Sequence, residues 1–230
     1  MTASARGLFR ATGKHSKPVP ARLLDGSLEI VEHLERETDD FYPTPAQATR
    51  AFLFAEQERL RDFQTIWEPA VGDGAMSREM KALGFDVFGS DMVDRGCGAT
   101  IRSFYDFNAC DAPSRAIATN PPYQECGFRH ANARWLKHGL DVLGIEYMAL
   151  LLNWTWPGAG GLAGFWADHP AARVYLMRWK IDFTGQGAPP MLNAWFVWDR
   201  AWQGETVLRM LDRKDARQGE LFAMEAARPP

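Results

Sequence analysis

The segment that most constrains the fold is residues 65–83. An apolar run, Thr65-Ile66-Trp67, feeds a glycine-bearing turn, Glu68-Pro69-Ala70-Val71-Gly72-Asp73-Gly74, and residues 76–83 then have helical character. Strand, tight turn and helix in this order form a βα unit of the kind that opens a nucleotide-binding parallel sheet. Gly72 and Gly74 let the backbone approach a ligand closely, since neither carries a Cβ. The spacing is not G-x-G-x-x-G and no phosphate-binding lysine follows, so a pyrophosphate is not the expected ligand. Glu68 and Asp73 instead put carboxylates where a phosphate is repelled and a cationic amino acid end is held. That pattern favours S-adenosylmethionine over NAD or ATP.

The rest of the chain keeps alternating strand and helix. Asp86–Ser90 reads as a second strand ending at Asp91, with Met92 beside it. A carboxylate there is placed to accept both hydroxyls of a ribose; the lesser reading of Asp91 is a helix cap or turn residue. Asp106-Phe107 precedes the fourth strand, where a carboxylate and an aromatic ring can flank an adenine. Residues 115–119 form a short buried strand, 128–143 a helix with Trp135, Leu136 and Leu140 near helical spacing, and 147–152 a fifth strand. Trp154 and Trp156 follow it, either lining a cleft or capping the core. Residues 174–179 and 194–198 make a final strand pair joined by the Gly- and Pro-rich stretch 185–190. The expected architecture is α/β: a doubly wound, mostly parallel sheet, helices on both faces, with ligands at the carboxyl ends of strands one, two and four.

The fourth strand runs into Asn120-Pro121-Pro122-Tyr123. An amino group conjugated to a ring is a poor nucleophile because its lone pair is delocalised. Acceptors that take its N–H hydrogens return that lone pair to nitrogen. The Asn120 side-chain carbonyl and the Pro121 backbone carbonyl are suitable acceptors. The paired prolines stiffen the backbone and contribute no N–H donors. Tyr123 offers a flat face for a planar base. Alone, the same four residues also read as a proline turn closing a strand.

Taken in order, Asp40-Phe41-Tyr42-Pro43-Thr44-Pro45, the turn 68–74, Asp91, Asp106-Phe107 and Asn120–Tyr123 resemble the DNA adenine-N6 methyltransferases, more narrowly the short versions of phages and prophages. The resemblance spans roughly residues 38–200, and its most specific parts are the glycine turn and the Asn-Pro-Pro-Tyr motif. It implies a class I methyltransferase sheet of the Rossmann-like type, seven-stranded with the last strand antiparallel. It implies S-adenosylmethionine as cofactor, with Asp40, Tyr42, Pro43 and Thr44 closing over its methionine end. Glu68, Pro69, Ala70, Gly72, Asp73 and Gly74 would lie under the cofactor, Asp91 and Met92 at its ribose, and Asp106 and Phe107 at its adenine. Asn120, Pro121, Pro122 and Tyr123 would hold the target amine of an adenine flipped from double-stranded DNA. A stretch like Asn193-Ala194-Trp195-Phe196-Val197-Trp198-Asp199 also occurs near the end of the short phage versions.

Three other readings share the motif or the fold: methylation of a protein glutamine, methylation of guanine in RNA, and a non-catalytic nucleic-acid-binding subunit. Glutamine methyltransferases usually carry a longer helical region ahead of the cofactor loop than the 39 residues before Asp40 here. The intact Glu68, Asp91 and Asn120 speak against a non-catalytic role. Cytosine-C5 chemistry needs a Pro-Cys nucleophile that the sequence lacks, so Cys126 is expected to be structural.

Composition bounds the remainder. A chain of 230 residues, 46% hydrophobic and 24% charged, is expected to fold as one globular domain. We place it at 38–210, with an N-terminal extension at 1–37 that is partly flexible and a polar tail at 211–230. No apolar run nears the roughly 18 residues of a membrane span, and residues 1–7 lack the core of a signal peptide. Three cysteines in no paired spacing and five scattered histidines give no disulfide or metal framework, so a reducing cytoplasm is the expected compartment. A net charge of −3 argues mildly against a nucleic-acid partner. Its distribution matters more: residues 1–22 carry only basic charges, as a phosphate-contacting arm or a solubilising tail, whereas 29–40 are acidic. No segment is large enough for a separate recognition domain. Either the loops 154–164 and 182–193 and the basic arm read DNA, or specificity is low, or a partner supplies it, whether a second copy of the chain or a separate protein.

Overall fold

The computed structural model describes residues 21–22, 28–29, 43–127, 132–183 and 191–216. The basic arm before residue 21, Asp40, Tyr42 and the stretch 185–190 lie outside the described residues. Two short antiparallel strands, β1 (Ala21–Arg22) and β2 (Leu28–Glu29), pair with each other.

Among the described residues the main sheet has eight strands. Five precede the return of the chain across the sheet: β3 (Thr65–Glu68), β4 (Asp86–Asp91), β5 (Thr100–Ile101), β6 (Ala116–Thr119) and β7 (Tyr147–Asn153). Three follow: β8 (Arg173–Met177), β9 (Asn193–Asp199) and β10 (Val207–Leu211). The spatial order is β10-β8-β9-β7-β6-β3-β4-β5. All neighbours are parallel except β9, which runs antiparallel to both β7 and β8. The doubly wound α/β reading holds, with two corrections. The sheet has eight strands rather than seven, and the antiparallel strand is the penultimate one. The added strand, β10, pairs parallel with β8 at the sheet edge.

Helices α1 (Ala46–Leu60) and α2 (Ala75–Ala82) cover one face, and α3 (Tyr123–Cys126), α4 (Arg134–Lys137) and α5 (Ala163–Asp168) the other. The helix expected over 128–143 is described from Arg134 and passes into a π-helical turn at His138–Val142. Strand β7 shows why both faces are covered. Tyr147, Ala149 and Leu151 join one core cluster, and Met148, Leu150 and Leu152 join the other. A strand buried on both sides reads as a continuous apolar run, as this one does. The first cluster is anchored by Phe52 stacked on Trp195 at 4.2 Å, the second by Phe104 stacked on Trp135 at 4.2 Å.

At the amino-terminal rim of the parallel strands, a buried ionic network ties α1 to three strands. Glu56 accepts from Arg173 Nε at 2.7 Å and Nη2 at 2.8 Å, from the Tyr147 hydroxyl at 2.9 Å and from the Tyr175 hydroxyl. Arg173 also bonds Asp199 at 2.8 Å, and Asp199 is paired with Arg59 at 2.9 Å. Burial, and then the nearby Glu56 carboxylate, push both tyrosine hydroxyls above their usual range.

Candidate active site

The chain reverses its direction across the sheet between β3 and β6. In an open α/β sheet the ligand crevice forms at that reversal, outside the carboxyl ends of the strands. The turn 69–74 leaves β3 at this point, and residues 120–123 leave β6 beside it.

The glycine turn is held by the neighbouring strand. Gly72 and Gly74 have φ of +55° and +80°, the left-handed region in which a side chain is strained. A Cβ on Gly74 would also meet the Cys97 Cβ at 3.2 Å. Asp91, ending β4, accepts from Gly72 N at 2.9 Å and from Val93 N at 3.1 Å, with Arg95 at 3.7 Å. Asp73 accepts from Ala75 N at 2.9 Å, which satisfies a free amide of the first turn of α2. Pro69 is buried and Ala70 half-buried.

Glu68 lies under this turn, 2% exposed, and accepts from the Ser77 hydroxyl. Burial lifts its carboxyl to about 8; the Ser77 hydrogen bonds oppose that, and the Asp73 and Asp91 charges add to it. At neutral pH Glu68 is therefore mostly a protonated acid unless a cation arrives beside it.

The target side of the crevice is built around Asn120. Its Nδ2 donates to Thr44 Oγ1 at 3.1 Å, while its Oδ1 is buried and meets no donor. Thr44 is itself buried, just before α1, and Pro43 is exposed. Pro121 is buried and Pro122 half-buried. Tyr123 opens α3, and its hydroxyl accepts from Asn193 Nδ2 at 3.3 Å. Burial, and then the neighbouring Cys126, raise the tyrosine's pKa above its ordinary value. Cys126 is buried and its thiol is pushed well up, chiefly by burial. It is a thiol rather than a nucleophilic thiolate.

The remaining expected residues are spread along the same rim. Met92 is 67% exposed beside Asp91, an apolar surface next to the crevice. Asp106 is exposed. The Phe107 ring is 4% exposed, packed against Trp67 at 4.7 Å and covered by the Arg102 guanidinium at 3.9 Å. The turn carrying it is tied to α3, because the Tyr105 hydroxyl donates to Glu125 at 2.7 Å under Arg134. Trp156 caps the second core cluster and donates to the Cys126 carbonyl at 3.0 Å. The structure thus gathers Glu68, Gly72, Asp73, Gly74 and Asp91 around one turn, and pairs Thr44 with Asn120 and Tyr123 with Asn193 by one hydrogen bond each.

Sequence reasoning did not assign site roles to Ser77 or Asn193. Asn193 carried a signal in the sequence, as a polar residue opening the apolar run 194–198. A cleft of about 440 Å³ at the opposite rim, lined by Asp199, Trp202, Glu205 and Thr206, offers no comparable chemistry. Its Asp199, Trp202 and Thr206 side chains are already bonded within the protein.

Comparison with solved structures gives the fold. A structure from Listeria monocytogenes, provisionally assigned as a class I S-adenosylmethionine-dependent methyltransferase, superposes with a TM-score of 0.56 at 12% identity, covering 79% of this chain and 69% of that one. A protein from Pyrococcus horikoshii, provisionally assigned as an RNA methyltransferase, gives 0.53 at 13% identity over 70% of this chain and 88% of that one. The fold is that of the class I methyltransferases. A DrdV–DNA complex also matches, at a TM-score of 0.49 and 13% identity over 79% of this chain and 29% of that one, too distant to carry an argument. No family model and no curated protein matches the chain.

Proposed function

We propose that the protein transfers a methyl group from S-adenosylmethionine to the exocyclic N6 amine of adenine in DNA. One observation carries the reading. The Asn120 amide is pinned by its nitrogen to Thr44, which leaves a buried carbonyl oxygen with no donor at the crevice. An orphaned acceptor of this kind is a standing cost in the free protein and is relieved by an incoming N–H.

The residues at the turn fit the cofactor. Gly72 and Gly74 keep the backbone bare, Asp91 offers its remaining lone pairs to ribose hydroxyls, and Glu68 gains a cationic neighbour in the amino acid end. The cofactor supplies a methyl already activated on a sulfonium, so the protein needs no covalent intermediate. Asn120 Oδ1 and the Pro121 carbonyl accept hydrogen bonds from the two amine N–H groups and localise the nitrogen lone pair; once methylated, the nitrogen gives up one of those protons to water. Tyr123 stacks on the ring that leaves the duplex, a step costing a few kcal/mol. Catalysis then rests on alignment and fixed dipoles. The loops and the basic arm, or a partner, supply recognition of the target sequence.

Incubation of the protein with methyl-labelled S-adenosylmethionine and separate pools of DNA, RNA and protein tests this directly. Label in DNA at adenine N6 is the expected result. Label only in RNA guanine or protein glutamine would overturn the substrate, and no cofactor binding by calorimetry would overturn the enzyme.

Glu68 sets a pH dependence. Its folded pKa of about 8 lies above the ordinary 4.5, so between these values the unfolded state holds fewer protons than the folded one. Free-protein stability from this group therefore falls as pH rises through that window. Binding a cationic group favours the ionised carboxylate, so cofactor affinity should rise with pH up to about 8, with release of a proton at pH 7. Calorimetry in buffers of different ionisation enthalpy reads that proton, and Glu68→Gln should abolish the release.

A further inference from the structure

Tyr123 is held at both ends. Its backbone belongs to the four-residue helix α3, and its hydroxyl accepts from Asn193 Nδ2 at 3.3 Å. Asn193 opens β9, is 1% exposed, and sits opposite Asn153 at the carboxyl end of β7. Its nitrogen lies 3.5 Å from the Leu152 carbonyl, and its Oδ1 is buried without a donor. Packing does not explain an asparagine here, because every residue that follows it through Trp198 is apolar and buried. The unpartnered carbonyl is a second acceptor, besides that of Asn120, left incomplete on the residues that surround Tyr123.

We propose that Asn193 is a positioning residue of the substrate pocket, acting through the Tyr123 hydroxyl. The inference rests on the reading that Tyr123 stacks on the target base. A tyrosine fixed only at its Cβ can swing about χ1. Fixed also at its oxygen by the antiparallel strand, the ring presents one plane to the base. That plane sets how far the amine lies from the acceptors at Asn120 and Pro121. Because Asn193 donates, the tyrosine's own proton is not spent on this contact.

Kinetics of methyl transfer to DNA for wild type, Asn193→Leu, Tyr123→Phe and the double variant test the idea, alongside calorimetry of cofactor binding. Asn193→Leu should lower kcat/KM for DNA by about tenfold with cofactor affinity unchanged, and Tyr123→Phe should do the same from the other side of the bond. The double variant should lose less than about twofold beyond either single one, because the two changes remove one contact. Losses that multiply, or a wild-type kcat/KM in Asn193→Leu, would overturn the role while leaving the methyltransferase reading intact. Should Asn193→Leu fail to fold, Asn193→Ala takes its place in the same cycle: undiminished kcat/KM in it, or losses that multiply with Tyr123→Phe, overturns the role, and a tenfold loss shared with Tyr123→Phe upholds it. Wild-type transfer confined to RNA or protein would sink the DNA assignment instead, and the same cycle on that acceptor would decide Asn193. Absence of transfer to all three pools would overturn both.

Discussion

Asn120→Ala is expected to lower methyl transfer by about a thousandfold or more and to leave cofactor affinity within about threefold of wild type. The two effects separate because they belong to different halves of the crevice. The cofactor half is assembled by Gly72, Gly74 and Asp91: Gly72 N donates to Asp91 across β3 and β4, and Gly74 N donates to the Val71 carbonyl within the turn. None of these contacts passes through Asn120, whose amide nitrogen donates to Thr44. Truncation deletes the acceptor that localises the amine lone pair, an interaction that strengthens as the nitrogen becomes tetrahedral. The loss should therefore fall on kcat rather than on cofactor binding. Filter assays with labelled cofactor and calorimetry measure the two sides. Turnover above a tenth of wild type in Asn120→Ala would refute the assignment.

The largest effect on stability is expected at Glu56, far from the crevice. Glu56→Ala should destabilise the fold by about 3–5 kcal/mol and lower the melting temperature by roughly 10 °C. The carboxylate is 4% exposed and is the common acceptor for Arg173, Tyr147 and Tyr175. Without it Arg173 keeps Asp199 as its anionic partner, and two buried hydroxyls lose their acceptor. Removing one member of a buried ionic set costs more than replacing the set by apolar residues of similar volume. Adding Arg173→Leu to Glu56→Leu should accordingly recover part of the loss. Thermal unfolding at neutral pH checks both, and a shift below 2 °C in Glu56→Ala would show that the network is not holding α1 to the sheet.

The parts of the molecule that were legible in the sequence are those encoded by neighbours in the chain. The strand, glycine turn and helix at 65–82 need only local spacing, and β7 needs only an uninterrupted apolar run. Strand β10 was not legible. Leu208 and Met210 are about half exposed, and Arg209 between them is exposed too, so no buried face is written into the run. β5 is two exposed residues and carries no pattern. The Glu56 network joins residues up to 140 positions apart, and its members read as ordinary surface charges in the sequence. At the site, the motif residues declared themselves, Thr44 among them, but their pairings did not: Thr44 lies 76 positions from Asn120, and Asn193 lies 70 from Tyr123. For Phe107, the sequence supplied an aromatic ring but not its direction, and the ring is turned into the core under Arg102.

The parallel edge strand also decides where the chain goes next. Had the sheet closed on its antiparallel member, the polypeptide would depart from the rim that carries the Glu56 cluster. Because β10 runs with β8, the chain departs past Leu211 from the rim that carries Asn120. Five strand spacings, about 24 Å in all, separate β10 from the crevice-forming β3. A fluorophore or tether joined downstream of Leu211 therefore starts from the rim that a nucleic acid would approach, and one joined through the 200–206 turn starts from the rim behind it.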